Sequence, residues 1–169
     1  MRLRALTLCG AALLVVGCST TMEGSPTVSS TEPSALFNPC DIPDDALRAA
    51  GVDPGTEKVG IAGTGFEGWE ICSWEAEWYF LGVLTSHNTF DDLRRNSELA
   101  NFRDVAAGSR EGFTAVNVGR DDSTCNFGFA VEGGTVVVNM ATKYLISKPE
   151  EPCETVVKRV EDLDTQLPR

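Results

Sequence analysis

The sequence predicts an α+β fold: an antiparallel sheet of about five strands with N-terminal, middle and C-terminal helices packed on it, held by two disulfides. Three observations predict it. Residues 113–118 and 125–131 alternate along a strand, and Gly133-Gly134 then offers a two-residue hairpin turn into the apolar run 135–140. Residues 151–167 place Cys153, Val156, Val157, Val160, Leu163 and Leu167 at helical spacing. Cys40, Cys72, Cys125 and Cys153 are an even set without the C-x-x-C spacing of a zinc site.

The N-terminus precedes that domain. Arg2 and Arg4 lead into an apolar run over residues 5–16, too short for the ~20 residues of a transmembrane helix. This is the shape of a secretory signal. Val15-Val16-Gly17-Cys18 looks like a bacterial lipobox, so residues 1–17 are expected to be removed and Cys18 to carry a diacylglycerol. Two acyl chains suffice for stable anchoring, where one is marginal. Residues 18–36 are the lipidated cysteine and a Ser/Thr/Pro-rich tether with no hydrophobic period. As a flexible chain it would reach about 20–25 Å. Residues 37–169 are the globular, extracytoplasmic domain.

Within the domain, residues 41–51 read as a short helix, with Pro43 near its start, Asp44 and Asp45 in the first turn and Gly51 past its end. Residues 52–68 read as a polar, Gly-rich stretch. In residues 69–85, Cys72, Trp74, Trp78 and Phe80 share one face if the strand is continuous; Glu75-Ala76-Glu77 is the alternative turn. Thr89 is the expected N-cap of the middle helix. Residues 101–112 suggest an edge strand and turn, although Ala106-Ala107 is weakly strand-forming. Pro152 fits the first turn of the last helix.

In an exported domain two disulfides are expected. Four cysteines allow three connectivities, and sequence alone does not choose among them. The expected pairs are Cys40–Cys72 and Cys125–Cys153, each tying a terminal helix to a nearby strand. Hydrophobic residues make up 42% and charged residues 23%, the balance of a globular protein. The net charge of -11 argues against a nucleic-acid partner and against a basic patch for anionic lipid headgroups.

The chain resembles the actinobacterial lipoprotein family catalogued as domain of unknown function 3558. The resemblance rests on the lipobox at Cys18, the tether, Asn38-Pro39-Cys40 opening a helix that ends at Gly51, Cys72-Ser73-Trp74, the Cys125 strand, and Glu151-Pro152-Cys153-Glu154 opening the last helix. It implies an exported, membrane-anchored, disulfide-bonded α+β domain. The layout is also similar to the extracellular sensor domains of mycobacterial Ser/Thr kinases. Neither likeness implies catalytic residues.

Candidate sites follow from side-chain chemistry. His87 is the only histidine, but Ser86 is its neighbour in sequence, and adjacent strand residues face opposite ways, which a catalytic triad does not permit. Residues 60–68 are glycine-rich yet lack the G-x-G-x-x-G order and the Walker lysine, and no helix follows to receive a phosphate. They could still rim a binding site. Trp69, Trp74, Trp78, Tyr79 and Phe80 are the densest aromatic group. Trp74 fits the core around Cys72, whereas Trp69 and Trp78 are the candidates for lining a ligand groove. Asp121-Asp122-Ser123 lacks the glycine and distal glutamate of a calcium loop. Glu75 and Glu77 share strand parity and could converge. Lys143, Lys148, Lys158 and Arg159 could form a basic spot, or, for the last two, a helix's polar face.

The sequence therefore leads to a lipid-anchored module on the outer face of the cell membrane, monomeric, non-catalytic, without metal or cofactor. Its ligand would be an unknown small molecule. The alternatives are an accessory lipoprotein that docks on another envelope protein and, last, an envelope hydrolase.

Overall fold

The computed structural model describes residues 35–61 and 63–169. The signal, the lipobox at Cys18 and nearly all of the tether lie outside the described residues. Chain contacts divide the protein into Met1–Glu32 and Pro33–Arg169, and the description concerns the second unit.

Seven antiparallel strands form one sheet: β1 (Asp53–Val59), β2 (Trp69–Glu75), β3 (Tyr79–Ser86), β4 (Leu99–Ala107), β5 (Arg110–Asn117), β6 (Thr124–Val131) and β7 (Gly134–Thr142). The helices are few and mostly small: α1 (Asp44–Ala49), α2 (Phe90–Arg94) and α3 (Pro152–Asp162), with a 3-10 turn at Pro39–Asp41. The fold is mainly β. This corrects the expected α+β arrangement of five strands with three packed helices. The count rises because residues 69–85 are two strands and because one edge, β1, is a strand as well; the other edge, β4, is the suggested edge strand of residues 101–112. The Gly-rich stretch hides β1, whose Pro54 and Gly55 suit only an edge strand with a single partner. β4 pairs with β5 from Leu99↔Asn117 to Ala107↔Arg110, with a register shift between Ala100 and Arg103, and Ala106 and Ala107 are held by their partners Glu111 and Arg110.

The strand order is β1-β2-β3-β7-β6-β5-β4. Two meanders are thus joined side by side through β3 and β7, whose ladder runs from Tyr79↔Thr142 to Ser86↔Thr135. The 69–85 segment breaks at residues 76–78, so the turn alternative holds, one residue later than Glu75-Ala76-Glu77. The break reverses the expected parity. Cys72 and Trp74 are buried on one face, while Phe80 pairs with Glu75 and is 41% exposed on the other. The β6–β7 turn is Glu132-Gly133, one residue earlier than Gly133-Gly134, with Gly133 at φ 81°.

One sheet face carries the main core: Trp74, Leu81, Val83, Phe127, Phe129, Val136, Val138 and Met140 pack against Leu47 of α1 and Val156, Val160 and Leu163 of the C-terminal segment. Cys40–Cys72 and Cys125–Cys153 close on this face. The pairs join the 3-10 turn to β2 and α3 to β6, as expected. The opposite face has a smaller core of Leu93, Phe113, Ala115 and Val137. There Gly128 lets the chain after β3 lie close to the sheet, because a Cβ on it would meet Leu93 Cδ2 at 2.8 Å and Phe113 Cζ at 2.9 Å.

Candidate functional site

The topology obliges the chain to cross the second face. β3 ends at Ser86, beside the β6–β7 turn, whereas β4 starts at Leu99 beside Asn117, on the far side of the sheet. The connecting residues 87–98 include α2, which packs over β6 and β7. Thr89 caps α2: its Oγ1 accepts from Asp92 N at 3.2 Å, and Asp92 Oδ2 accepts from Thr89 N at 3.2 Å. Arg94 fastens the crossing at its other end. Its guanidinium lies over the Phe90 and Phe113 rings and pairs with Asp104 of β4.

Between this crossing and the β1–β2 loop lies a groove of about 340 Å³. That is within the range of about 300–1,000 Å³ of small-molecule sites. Its floor includes Leu84, Val137, Asn139, Asn126 and Thr124; Leu93, Asn96, Glu98 and Leu99 form one wall, and Trp69 and Ile61 the other. Arg120 stands at the β5 end. Among the described residues neither Arg120 nor Glu98 has a salt-bridge partner.

Three asparagines cross the floor, one on each of β7, β6 and β5. Asn139 Nδ2 donates to Asn126 Oδ1 at 2.7 Å; Asn126 Nδ2 donates to Asn117 Oδ1 at 3.0 Å and to the Ala115 carbonyl at 3.2 Å. The carbonyl sets the direction of the whole ladder. It can only accept, so Asn126 must turn its nitrogen toward it. Asn126 Oδ1 can then only accept from Asn139, and Asn117 must offer its oxygen. The ladder is polarised, with Asn139 Oδ1 free at one end and Asn117 Nδ2 free at the other. Neither has a protein partner among the described residues.

The structure separates the two tryptophans singled out from sequence. Trp69 is half-buried and lines the groove. Trp78 lies in the β2–β3 turn, stacks edge-on against Tyr79 with 4.9 Å between ring centroids, and packs on the main core. The asparagine ladder escaped the sequence reading. The signal was there: Asn126 and Asn139 sit inside apolar strands, where asparagine is depleted.

The other candidates are engaged elsewhere. His87 Nδ1 lies 3.1 Å from the Gly133 carbonyl, and Ser86 Oγ 3.4 Å from Thr135 Oγ1. In the glycine-rich loop Gly60 and Thr64 are in tight contact, and the chain continues into β2 without a helix. Asp121 accepts from Asn101 Nδ2 at 3.5 Å. Glu75 binds Lys143 at 3.0 Å and Lys58 at 3.3 Å, and these hydrogen-bonded cations, Lys143 foremost, hold its carboxyl below the usual range; Glu77 is exposed in the turn. Lys143, Lys148, Lys158 and Arg159 each pair with an acid, so they form no free basic spot. Cys40, Cys72 and Glu57 come close enough to suggest a metal, but the two sulfurs are bonded to each other and offer no thiolate.

Among the described residues no helix is long and apolar enough to cross a membrane. No curated protein and no solved structure matches the chain. The family described as "Protein of unknown function (DUF3558)" matches residues 13–166, nearly the full length, and the chain belongs to that family.

Proposed function

We propose that the protein is a lipid-anchored, non-catalytic binding module of the cell envelope, held to the outer face of the membrane through Cys18, with the groove beside Trp69 as its ligand site. The groove carries this reading. It is built from both meanders, sets apolar side chains beside a row of asparagines, and presents an unpartnered acceptor and donor. The resemblance in layout to extracellular kinase sensors supports a sensory use of such a site. The lipobox sequence Val15-Val16-Gly17-Cys18 supports the anchor. The described chain begins at Ala35 beside the β6–β7 turn, where Phe37 O accepts from Thr85 Oγ1 at 2.6 Å.

A second reading, docking on another envelope protein, is favoured by one feature. Tyr144, Leu145 and Ile146 follow β7, and the first two are 89% and 87% exposed, with Leu145 at φ 66°. This apolar tip lies at the opposite end of β7 from Ala35, about 30 Å away at strand rise. An exposed bulky residue in the left-handed region is uncommon.

The test is native mass spectrometry of the full chain after export, with its released lipid moiety analysed in parallel. An extra non-covalent mass that leaves on denaturation supports the binding module, and a diacylglyceryl mass on Cys18 supports the anchor. A bare protein mass from several hosts, with the chain capturing a partner through the 144–146 tip, would favour the docking reading instead.

A further inference from the structure

We infer that the groove recognises a neutral polyhydroxylated ligand, a saccharide of about two linked rings; this rests on the proposal that the groove is a binding site. The argument begins with the ladder's two ends. Asn139 Oδ1 is open to a donor, and Asn117 Nδ2 is open to an acceptor. A carboxylate or a phosphate monoester dianion cannot donate to the first, and an ammonium group cannot accept from the second. A hydroxyl can do either. A purely apolar ligand would cover both amides and satisfy neither.

Spacing and shape narrow the class further. Asn139 and Asn117 are two strands apart, roughly 10 Å at normal strand spacing. One ring does not bridge that distance, and two linked rings do. Trp69 and Ile61 on one wall, Leu93 on the other and Leu84 in the floor set apolar surface beside the asparagine row. A pyranose has the matching division: hydroxyls around its edge, and a face of C–H groups that packs on the electron-rich face of an indole. The charges on the walls, Glu98 and Arg120, are one of each sign, so the groove has no net preference for an ion. Since Ala115 O fixes the amide orientations, the donor and acceptor are set before the ligand arrives.

The experiment is a titration of the ¹⁵N-labelled full chain, purified with both disulfides formed. The side-chain NH₂ signals of Asn117, Asn126 and Asn139 and the Trp69 indole N–H are followed. The probes are maltose, cellobiose and N,N′-diacetylchitobiose; galacturonate, laurate and a capped dialanine peptide provide anionic, apolar and peptide comparisons. We expect a neutral disaccharide to shift the amides and the indole together and saturably. Trp69→Ala and Asn139→Leu should each weaken that binding about tenfold or more, and Arg120→Gln by less than about threefold. Asn117→Ala, at the groove's edge, serves in place of Asn139→Leu if the latter fails to fold. Shifts produced only by galacturonate, laurate or the peptide overturn the saccharide assignment and leave the groove as a binding site. Silence with every probe overturns the saccharide assignment as well, and silence together with a bare mass in the native spectrum overturns the binding module itself.

Discussion

Arg110 Nε lies 2.7 Å from Asp164 Oδ1, and through this pair β5 holds the end of the chain. The guanidinium also donates to the carbonyls of Pro168 at 2.6 Å, Asp164 at 2.7 Å and Leu167 at 2.9 Å, and lies over the Phe129 ring. The arginine side chain is 5% exposed and that of Asp164 19%. A planar fork with several fixed donors suits this task, and a lysine does not. The tail it fixes in turn closes over the β6–β7 turn, where Glu132 N donates to Arg169 O at 3.0 Å.

Replacing Arg110 therefore strips partners from three carbonyls and a carboxylate at once. Arg110→Met, which keeps most of the volume, should cost about 3–5 kcal/mol, as for other broken buried pairs. Arg110→Lys should recover only part of this. Asp164→Asn should cost less, since Ser109 Oγ still donates to that side chain and solvent reaches it. Urea unfolding gives the magnitudes. Amide exchange over residues 163–169 should accelerate before global unfolding in the methionine variant, and unchanged exchange there would show that the tail is held by something else.

Gly128 controls the wall of the groove. A methyl group at this position would press on Leu93 and Phe113, both buried. Gly128→Ala should destabilise by about 1–3 kcal/mol, the usual cost of overpacking. The loss should be local as well as global, with α2 amides exchanging faster than those of β7. Leu93→Ala in the same background relieves the Leu93 part of the clash and leaves the Phe113 part, so the double variant should be more stable than the sum of the two changes predicts.

Acid should loosen α2 before the sheet. Asp92 accepts from Thr89 Oγ1 at 2.6 Å and from Arg95 at 2.8 Å, and these bonds, the threonine hydroxyl first, lower its pKa from 3.8 to about 2. The native state thus favours the ionised carboxylate. Its contribution is complete above the unfolded value and disappears as pH falls through about 2. Resonances of residues 89–95 should move between pH 4 and pH 2 in the native protein. In Thr89→Ala, which should cost about 1 kcal/mol, the Asp92 titration should move up toward its ordinary value.

Each disulfide spans a moderate loop, with sequence separations of 32 and 28 residues. In the chain-entropy model either is worth about 3.5 kcal/mol. Cys125→Ser/Cys153→Ser should lose about this much in chemical unfolding. It should also free α3 from β6, visible as faster exchange in the first turn of the helix. Peptide mapping without reduction should recover Cys40 with Cys72 and Cys125 with Cys153; any other pairing would contradict the structure.

Amino-acid order alone determined what local periodicity can carry. The strand patterns around Cys125 and Val136, the amphipathic spacing from Cys153 to Leu167, and the cap at Thr89 all follow from neighbours a few residues apart. The even cysteine count and the acidic balance were equally legible. The edge strands were half legible. β4 falls where residues 101–112 suggest an edge strand, whereas β1 carries Pro54 and Gly55, has no buried position and is held by one partner strand that its own sequence does not announce.

The site was less visible still. The sequence offers Trp69 and Trp78 alike as groove-lining aromatics, and the groove beside Trp69 exists only because β3 pairs with β7, which sends residues 87–98 across the open face. Asn117, Asn126 and Asn139 are separated by 9 and 13 residues in the chain and become neighbours only through the β5–β6–β7 register. A shift of one residue in any of those ladders would turn an asparagine to the other face. Periodicity is a property of one segment, whereas register and strand order are relations between distant segments. The sequence therefore determined the faces of individual elements, and the tertiary structure decided which faces meet to form a site.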